Sequence, residues 1–216
     1  MLNIEITPQR EALLKGFDNE FHALLRVNAD KVPNLHERKN SLNLAIVIDR
    51  SGSMSGQPLD EAKRSAIMMV EQMHADDRVA IVTYDNTAEL VVPSTACSEK
   101  QRIIQLIRNI QSGGMTALHA GWLMGAEEVA RHKTANSLNR VLLLSDGNAN
   151  EGLVDPQEIK IQCAQLADAG VTTSTYGLGH HFNEQLMIEM SSSGLGQGYY
   201  GETAEDLADP FREEFE

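Results

Sequence analysis

The 216-residue sequence is poor in cysteine and in basic residues, and these two shortages argue against certain structural sites and certain partners. Its two cysteines, Cys97 and Cys163, lie far apart in no CxxC pattern, which favours free thiols over a structural disulfide or a zinc site. With 18 basic against 31 acidic residues the formal net charge is −13. This balance argues against nucleic acid or an anionic membrane surface as the main partner.

Long apolar runs are also lacking. No stretch approaches the roughly 20 residues that a membrane-spanning helix needs, so we expect no direct insertion into a membrane. Residues 1–15 are polar and mixed, without the basic start and apolar run of a signal peptide, and we therefore expect a cytoplasmic protein. Hydrophobic residues still make up 42% of the chain, which suits a folded domain with a real core.

The first 40 residues differ in pattern from the rest. Ile4 and Ile6 alternate with polar residues, as do the apolar residues of 21–27, and this period of two predicts an N-terminal β-hairpin followed by a polar linker. A lone hairpin is marginally stable in water, so it must pack on the main domain or on further sequence. We predict a β extension and linker at 1–40 and the main domain at 41–216, with a further C-terminal domain of the same protein as one candidate partner.

The main region alternates short apolar runs with amphipathic stretches. The apolar runs predict strands at 44–49, 79–84, 88–92, 141–144, 171–176 and 199–200. A turn at Asp85–Asn86 makes the second and third of these an antiparallel hairpin at a sheet edge. Ser98 and Gln101 resemble a capping box at the start of a helix. The alternation predicts an α/β fold: a doubly wound, mostly parallel sheet with one antiparallel edge strand and helices on both faces.

Three polar loops follow predicted strands or precede predicted helices. They are Asp49-Arg-Ser-Gly-Ser53, Gly113-Gly-Met-Thr116 and Ser145-Asp-Gly147. Ligands of open α/β sheets bind beyond the carboxyl ends of the strands, where the strand order reverses. If the strands before Asp49 and Asp146 are neighbours, these loops converge on one site.

The candidate ligands in these loops offer only oxygen. They are Asp49, Ser51, Ser53, Thr116 and Asp146. Such donors favour a hard cation, Mg²⁺ first with Ca²⁺ or Mn²⁺ as alternatives, over zinc or copper. Two aspartates balance a divalent ion and hydroxyls add no charge, so a carboxylate presented by a partner protein is a favourable last ligand.

The same five residues resemble the metal-ion-dependent adhesion site (MIDAS) of von Willebrand factor A (VWA) domains: Asp-x-Ser-x-Ser at 49–53, then Thr116, then Asp146. The resemblance covers about Leu42 to Glu216 and implies a Rossmann-like VWA fold of the stand-alone bacterial type. It implies direct ligation by Ser51 and Ser53, with the other three ligating directly or through water. It also implies a metal-dependent protein-binding module rather than an enzyme.

Two other functions stay open. Intracellular members of the family that this chain resembles work with ATPases, which suggests a regulatory or assembly subunit. A Mg²⁺-dependent phosphoryl-transfer or hydrolytic enzyme has less support, because apart from Arg50 the sequence offers no lysine, arginine or general base near these loops. Gly56 is also not followed by the lysine of a P-loop. His180 and His181 follow a strand end, and we interpret them as surface residues.

Overall fold

The computed structural model describes residues 2–8, 15–16, 22–29, 40–146, 149–178 and 183–215. The chain divides into two compact units, Met1–Arg38 and Lys39–Glu216. The first unit holds an antiparallel pair of strands, β1 (Leu2–Pro8) and β2 (Ala23–Ala29), which confirms the predicted hairpin.

The second unit is built around one six-stranded sheet. In chain order its strands and helices are β3 (Ser41–Asp49), α1 (Gln57–Gln72), β4 (Arg78–Tyr84), β5 (Ala88–Ala96), α2 (Lys100–Arg108), α3 (Leu118–Arg131), β6 (Ser137–Ser145), α4 (Pro156–Asp168), β7 (Thr172–Leu178), α5 (Glu184–Ser193), β8 (Gly198–Gly201) and α6 (Ala204–Phe215). Short 3-10 helices at Gly52–Met54 and Cys97–Glu99 precede α1 and α2. Among the helices described, none combines the length and apolar character needed to cross a bilayer.

The strand order is β5-β4-β3-β6-β7-β8. Only the β4–β5 pairing at the edge is antiparallel, and the other four pairings are parallel. This is the predicted doubly wound sheet with one antiparallel edge strand. Because the chain first runs from β3 to β4 on one side and later returns to β6 on the other, the order reverses between β3 and β6. That reversal is where α/β sheets form ligand sites.

Both faces of the sheet are covered, which explains why its central strand β3 is apolar from Leu44 to Ile48. Along β3, Leu44, Ile46 and Ile48 belong to a core with residues of α1, α2 and α6. Ala45 and Val47 belong to a second core with residues of α3, α4 and α5. Successive side chains of a strand point to opposite faces, so a strand buried on both sides loses the polar alternation of an exposed one. Cys97 and Cys163 are buried free thiols in these cores, as predicted.

The starts of the helices differ in how they are formed. Pro58 lies in the first turn of α1, and the Asp155 side chain accepts a hydrogen bond from the Gln157 N–H at the start of α4. The predicted capping box at Ser98 is wrong. The segment Cys97–Glu99 forms a 3-10 turn instead, and α2 begins at Lys100 without a side-chain cap. The Cys97 N–H donates to the Asp77 carbonyl, which holds this turn at the sheet and delays the helix.

Candidate metal centre

Asp49 is the last residue of β3 and is fully buried. Its Oδ1 accepts the Ser51 N–H at 2.9 Å. Its Oδ2 accepts the Ser145 hydroxyl at 2.7 Å and the Tyr84 hydroxyl at 3.1 Å. Burial raises the pKa of Asp49, the hydrogen bonds from Ser51 and Ser145 oppose that rise, and the charge of Asp146 adds to it. Each of these hydrogen-bond donors is neutral, so none of them balances the charge of the carboxylate. A cation beside Asp49 would stabilise its ionised form.

The Asp49 loop brings two hydroxyl oxygens together. Ser51 is buried, Ser53 is exposed, and their Oγ atoms are 3.1 Å apart. Adjacent ligands of an octahedral Mg²⁺ lie about 3.0 Å apart when each is about 2.1 Å from the ion. The 3-10 turn at Gly52–Met54 creates this spacing, and the fully buried Met54 anchors it to the core. The two hydroxyls therefore have the separation of neighbouring metal ligands.

The Gly113–Thr116 loop is bonded to the Asp49 loop through backbone groups. The Gly113 N–H donates to the Arg50 carbonyl at 2.8 Å, and the Gly52 N–H donates to the Gly114 carbonyl at 3.0 Å. Gly114 has a φ of +38°, and a Cβ there would lie 2.4 Å from Asn86 Oδ1. A side chain at this position would be strained by the positive φ and would displace the Asn86 side chain in the turn between β4 and β5, so glycine suits this part of the loop.

Thr116 is buried and is fixed by the loop that follows β6. Its N–H donates to Asn150 Oδ1 at 2.8 Å. Its carbonyl accepts the N–H groups of Asn150 at 3.2 Å and Glu151 at 3.3 Å. The second and third loops are thus joined, and Asn150 holds the backbone of Thr116, a candidate ligand.

Asp146 directly follows β6 and is only 8% exposed. Its carbonyl accepts the Asn183 N–H at 2.9 Å, which ties it to the start of α5. Asp146 lies close enough to raise the pKa of Asp49 through its charge. His180 and His181 lie outside the described residues, as do Gly147 and Asn148.

Three hydrogen-bonded loops therefore carry the five predicted ligands. Hydrogen bonds link Asp49 to Ser51 and Ser51 to Ser53. Thr116 is connected to these residues through the backbone hydrogen bonds of its loop, and Asp146 lies close enough for its charge to act on Asp49. The sequence reasoning missed Tyr84 and Ser145 as partners of Asp49. Ser145 stood in the quoted Ser-Asp-Gly loop and could have been suspected, but Tyr84 is recognisable only once β4 is known to lie beside β3.

The donor set differs from a carboxylate- or histidine-rich centre. In the part of the chain that the structure describes, no three His, Cys, Asp or Glu side chains form a cluster that could hold a metal ion. The candidate centre has two carboxylates and three hydroxyls, so it depends on oxygen donors that carry no charge. This set fits a hard divalent cation that retains water or accepts an outside ligand.

Arg50 follows Asp49 in the chain, but its side chain pairs elsewhere. Its guanidinium forms ion pairs with Asp85 at 3.0 Å and with Glu89 at 3.2 Å. The positive charge nearest in sequence to Asp49 is therefore already balanced.

The sequence matches the model of the von Willebrand factor type A domain over residues 43–213. The chain belongs to the von Willebrand factor type A domain family. This confirms the family suggested by the five-residue pattern. VWA domains commonly bind a metal ion at a MIDAS and mediate protein interactions.

Two curated relatives extend the comparison. The chain is 29% identical over 196 residues to the uncharacterized protein sll0103 of Synechocystis, covering 89% of this chain and 45% of the relative. It is 32% identical over 187 residues to the uncharacterized protein YfbK of Escherichia coli, covering 86% of this chain and 32% of the relative. The chain thus spans less than half the length of either relative.

Solved structures show the same VWA fold. A von Willebrand factor type A protein from Catenulispora acidiphila superposes with a TM-score of 0.70 at 22% identity, over 98% of this chain and 48% of that one. Proximal thread matrix protein 1 from the mussel byssus, with a zinc-occupied MIDAS motif, superposes with a TM-score of 0.65 at 16% identity, over 83% of this chain and 48% of that one.

Proposed function

We propose that this VWA domain binds a divalent cation, Mg²⁺ foremost, and that the ion holds a carboxylate of a partner protein. The proposed ligands are Asp49, Ser51, Ser53, Thr116 and Asp146, directly or through water. One observation carries the proposal: the fully buried Asp49 is held by neutral donors beside a second carboxylate. An isolated buried charge is costly, and a cation between the two aspartates would offset that cost.

The charge balance supports an outside ligand. Asp49 and Asp146 neutralise a divalent ion, and the three hydroxyls leave its charge unchanged. Ser53 is exposed, so one side of the proposed ion faces solvent. A carboxylate arriving from a partner would bind there as a charged oxygen ligand, the type that Mg²⁺ prefers.

Mg²⁺ is proposed over Ca²⁺ because the 3.1 Å between the hydrogen-bonded serine Oγ atoms is shorter than the ligand spacing around the larger Ca²⁺ ion, while Mn²⁺ stays an alternative. The mussel byssus protein, whose MIDAS holds zinc, makes Zn²⁺ a necessary competitor in any assay.

We propose binding rather than catalysis. Asp49 is fully buried, which opposes a role as general base towards a substrate that arrives from solvent. Arg50 is engaged by Asp85 and Glu89, which opposes a role in contacting a phosphoryl group. A role as an assembly subunit that works with an ATPase stays a prediction, and so does a cytoplasmic location.

Calorimetric titration of the metal-free protein with Mg²⁺, Mn²⁺, Ca²⁺ and Zn²⁺ tests the proposal. Ser53→Ala removes a proposed ligand, and Ser55→Ala is its matched control, because Ser55 is an exposed serine of the same loop whose hydroxyl pairs with Ser112 at 3.4 Å. We expect one Mg²⁺ per chain, a loss of at least 10-fold in affinity for Ser53→Ala and for Asp146→Asn, and no change for Ser55→Ala.

Two results would contradict this function. One is the absence of stoichiometric binding of any of the four cations to a folded protein. The other is an equal effect of Ser53→Ala and Ser55→Ala. A phosphatase substrate hydrolysed by the wild type but not by Asp146→Asn would support the enzyme alternative instead.

A further inference from the structure

The charges around the candidate metal centre restrict the kind of partner that it can hold. Residues 39–216 contain 25 acidic and 13 basic residues, so this unit carries −12 of the total charge of −13. A partner carboxylate must approach this strongly acidic unit. The metal attracts it at short range, but the surrounding charges repel it at longer range.

The basic residue beside the site does not relieve this repulsion. Arg50 is 24% exposed at its side chain and is shared between Asp85 and Glu89, at 3.0 and 3.2 Å. Arg50, Asp85 and Glu89 together carry a net charge of −1. An arriving carboxylate would therefore have to displace Asp85 or Glu89 before it could pair with Arg50.

Two acidic side chains near the site remain accessible, one at the start of β5 and one in the segment after β6. Glu89 is 58% exposed at its side chain and lies at the start of β5. Glu151 is also exposed, and its N–H donates to the carbonyl of Thr116. With Asp49 and Asp146 balancing the metal, the four side chains of Arg50, Asp85, Glu89 and Glu151 carry a net charge of −2.

We infer that the partner's metal-binding carboxylate lies within a basic segment, with lysine or arginine on both sides of the acidic residue. The inference rests on the proposed function. The carboxylate binds the ion, and the flanking cations pair with Glu89 and Glu151 and reduce the repulsion from the acidic unit. Such pairs at an interface rim affect specificity and the rate of association, and salt weakens them.

Three synthetic nine-residue peptides test this inference. Each has one central aspartate, flanked on both sides by lysines, serines or glutamates, and each is titrated by NMR against the full chain at saturating Mg²⁺. A lysine-flanked peptide with asparagine in the centre, and a titration in EDTA, control for attraction by charge alone. Calorimetry first measures Mg²⁺ binding for every protein variant.

We expect the lysine-flanked aspartate peptide to bind at least 10-fold more tightly than the serine-flanked one, and the glutamate-flanked one more weakly than both. The preference should shrink in 0.5 M salt, and the asparagine control and EDTA should abolish metal-dependent binding. If the lysine- and serine-flanked peptides bind Mg²⁺-loaded protein equally, the inference is overturned and the proposed metal function stands. If Mg²⁺ itself does not bind, both fail.

Protein variants locate the effect. Glu89→Gln and Glu151→Gln should each weaken the lysine-flanked peptide by about threefold to fivefold and leave the serine-flanked peptide nearly unchanged. Glu99→Gln is the matched control, because Glu99 pairs with Arg102 at 3.8 Å as Glu89 pairs with Arg50. Glu99 follows the end of β5, whereas Glu89 lies at its start beside the site. Equal weakening by all three variants would assign the effect to net charge and overturn the role of the site surroundings.

Discussion

Two buried aspartates at opposite ends of the parallel strands have different surroundings. Asp77 precedes β4, and its Oδ1 and Oδ2 accept the backbone N–H groups of Leu42 and His74, each at 2.7 Å. Asp49 ends β3, and hydroxyls of Ser145 and Tyr84 occupy its Oδ2. Both carboxylates are at most 1% exposed. Burial alone therefore does not distinguish an aspartate that supports the fold from one that is a candidate ligand.

The difference lies in the donors. Backbone amides have fixed positions, so Asp77 joins the start of β3 to the turn before β4 and has a structural role. Hydroxyl groups rotate and can redirect their protons, so Asp49 can keep these neighbours while sharing an oxygen with a metal or its bound water. The comparison teaches that the nature of the donors, and a second carboxylate nearby, distinguish the end of the sheet that carries the candidate metal centre.

The largest expected effect belongs to the structural aspartate. Asp77→Ala leaves two N–H groups without their carboxylate acceptor and should lower the free energy of unfolding by about 3 kcal/mol. Urea denaturation measures the loss, and Asp76→Ala, at the exposed neighbouring residue, should change it by less than about 0.5 kcal/mol. The folded variant should retain its Mg²⁺ affinity. An equal effect of the two substitutions would remove the proposed role of Asp77.

The next effect concerns the metal. Mg²⁺ at 100 times its dissociation constant should raise the free energy of unfolding of the wild type by about 2.7 kcal/mol. Asp49→Asn should abolish this increase without destabilising the EDTA-treated protein, because burial of the ionised Asp49 is unfavourable, as its raised pKa indicates. Thermal unfolding with Mg²⁺ and with EDTA measures both. An Asp49→Asn variant that Mg²⁺ stabilises as much as the wild type would contradict the metal site.

The smallest effect tests the hydroxyl donors. Tyr84→Phe removes one of the two hydroxyls on Asp49 Oδ2, and the closer Ser145 hydroxyl remains. We expect a loss of about 1 kcal/mol in the free energy of unfolding and a decrease of about fivefold in Mg²⁺ affinity, measured by calorimetry. A 100-fold decrease would instead show that the Tyr84 hydroxyl is essential to the centre.

Three elements show which parts of the fold could be predicted from the sequence. The apolar run before Asp49 predicted a strand buried on both faces, because only such a strand omits polar alternation. The turn at Asp85–Asn86 predicted the antiparallel edge correctly. The capping box at Ser98 failed because a tertiary bond, from the Cys97 N–H to the Asp77 carbonyl, holds those residues in a 3-10 turn.

For the candidate site, the sequence by itself determined the chemistry of the proposed ligands, two carboxylates and three hydroxyls of the kind that suits a hard cation. It also determined the order of strands and helices that places them in loops. Only the tertiary structure decided that β3 and β6 are neighbours, that the loops share hydrogen bonds, and that Tyr84 and Ser145 face Asp49. The reason is physical. Local patterns specify the state of each segment, whereas the neighbours of a buried carboxylate depend on which distant strands pair beside it.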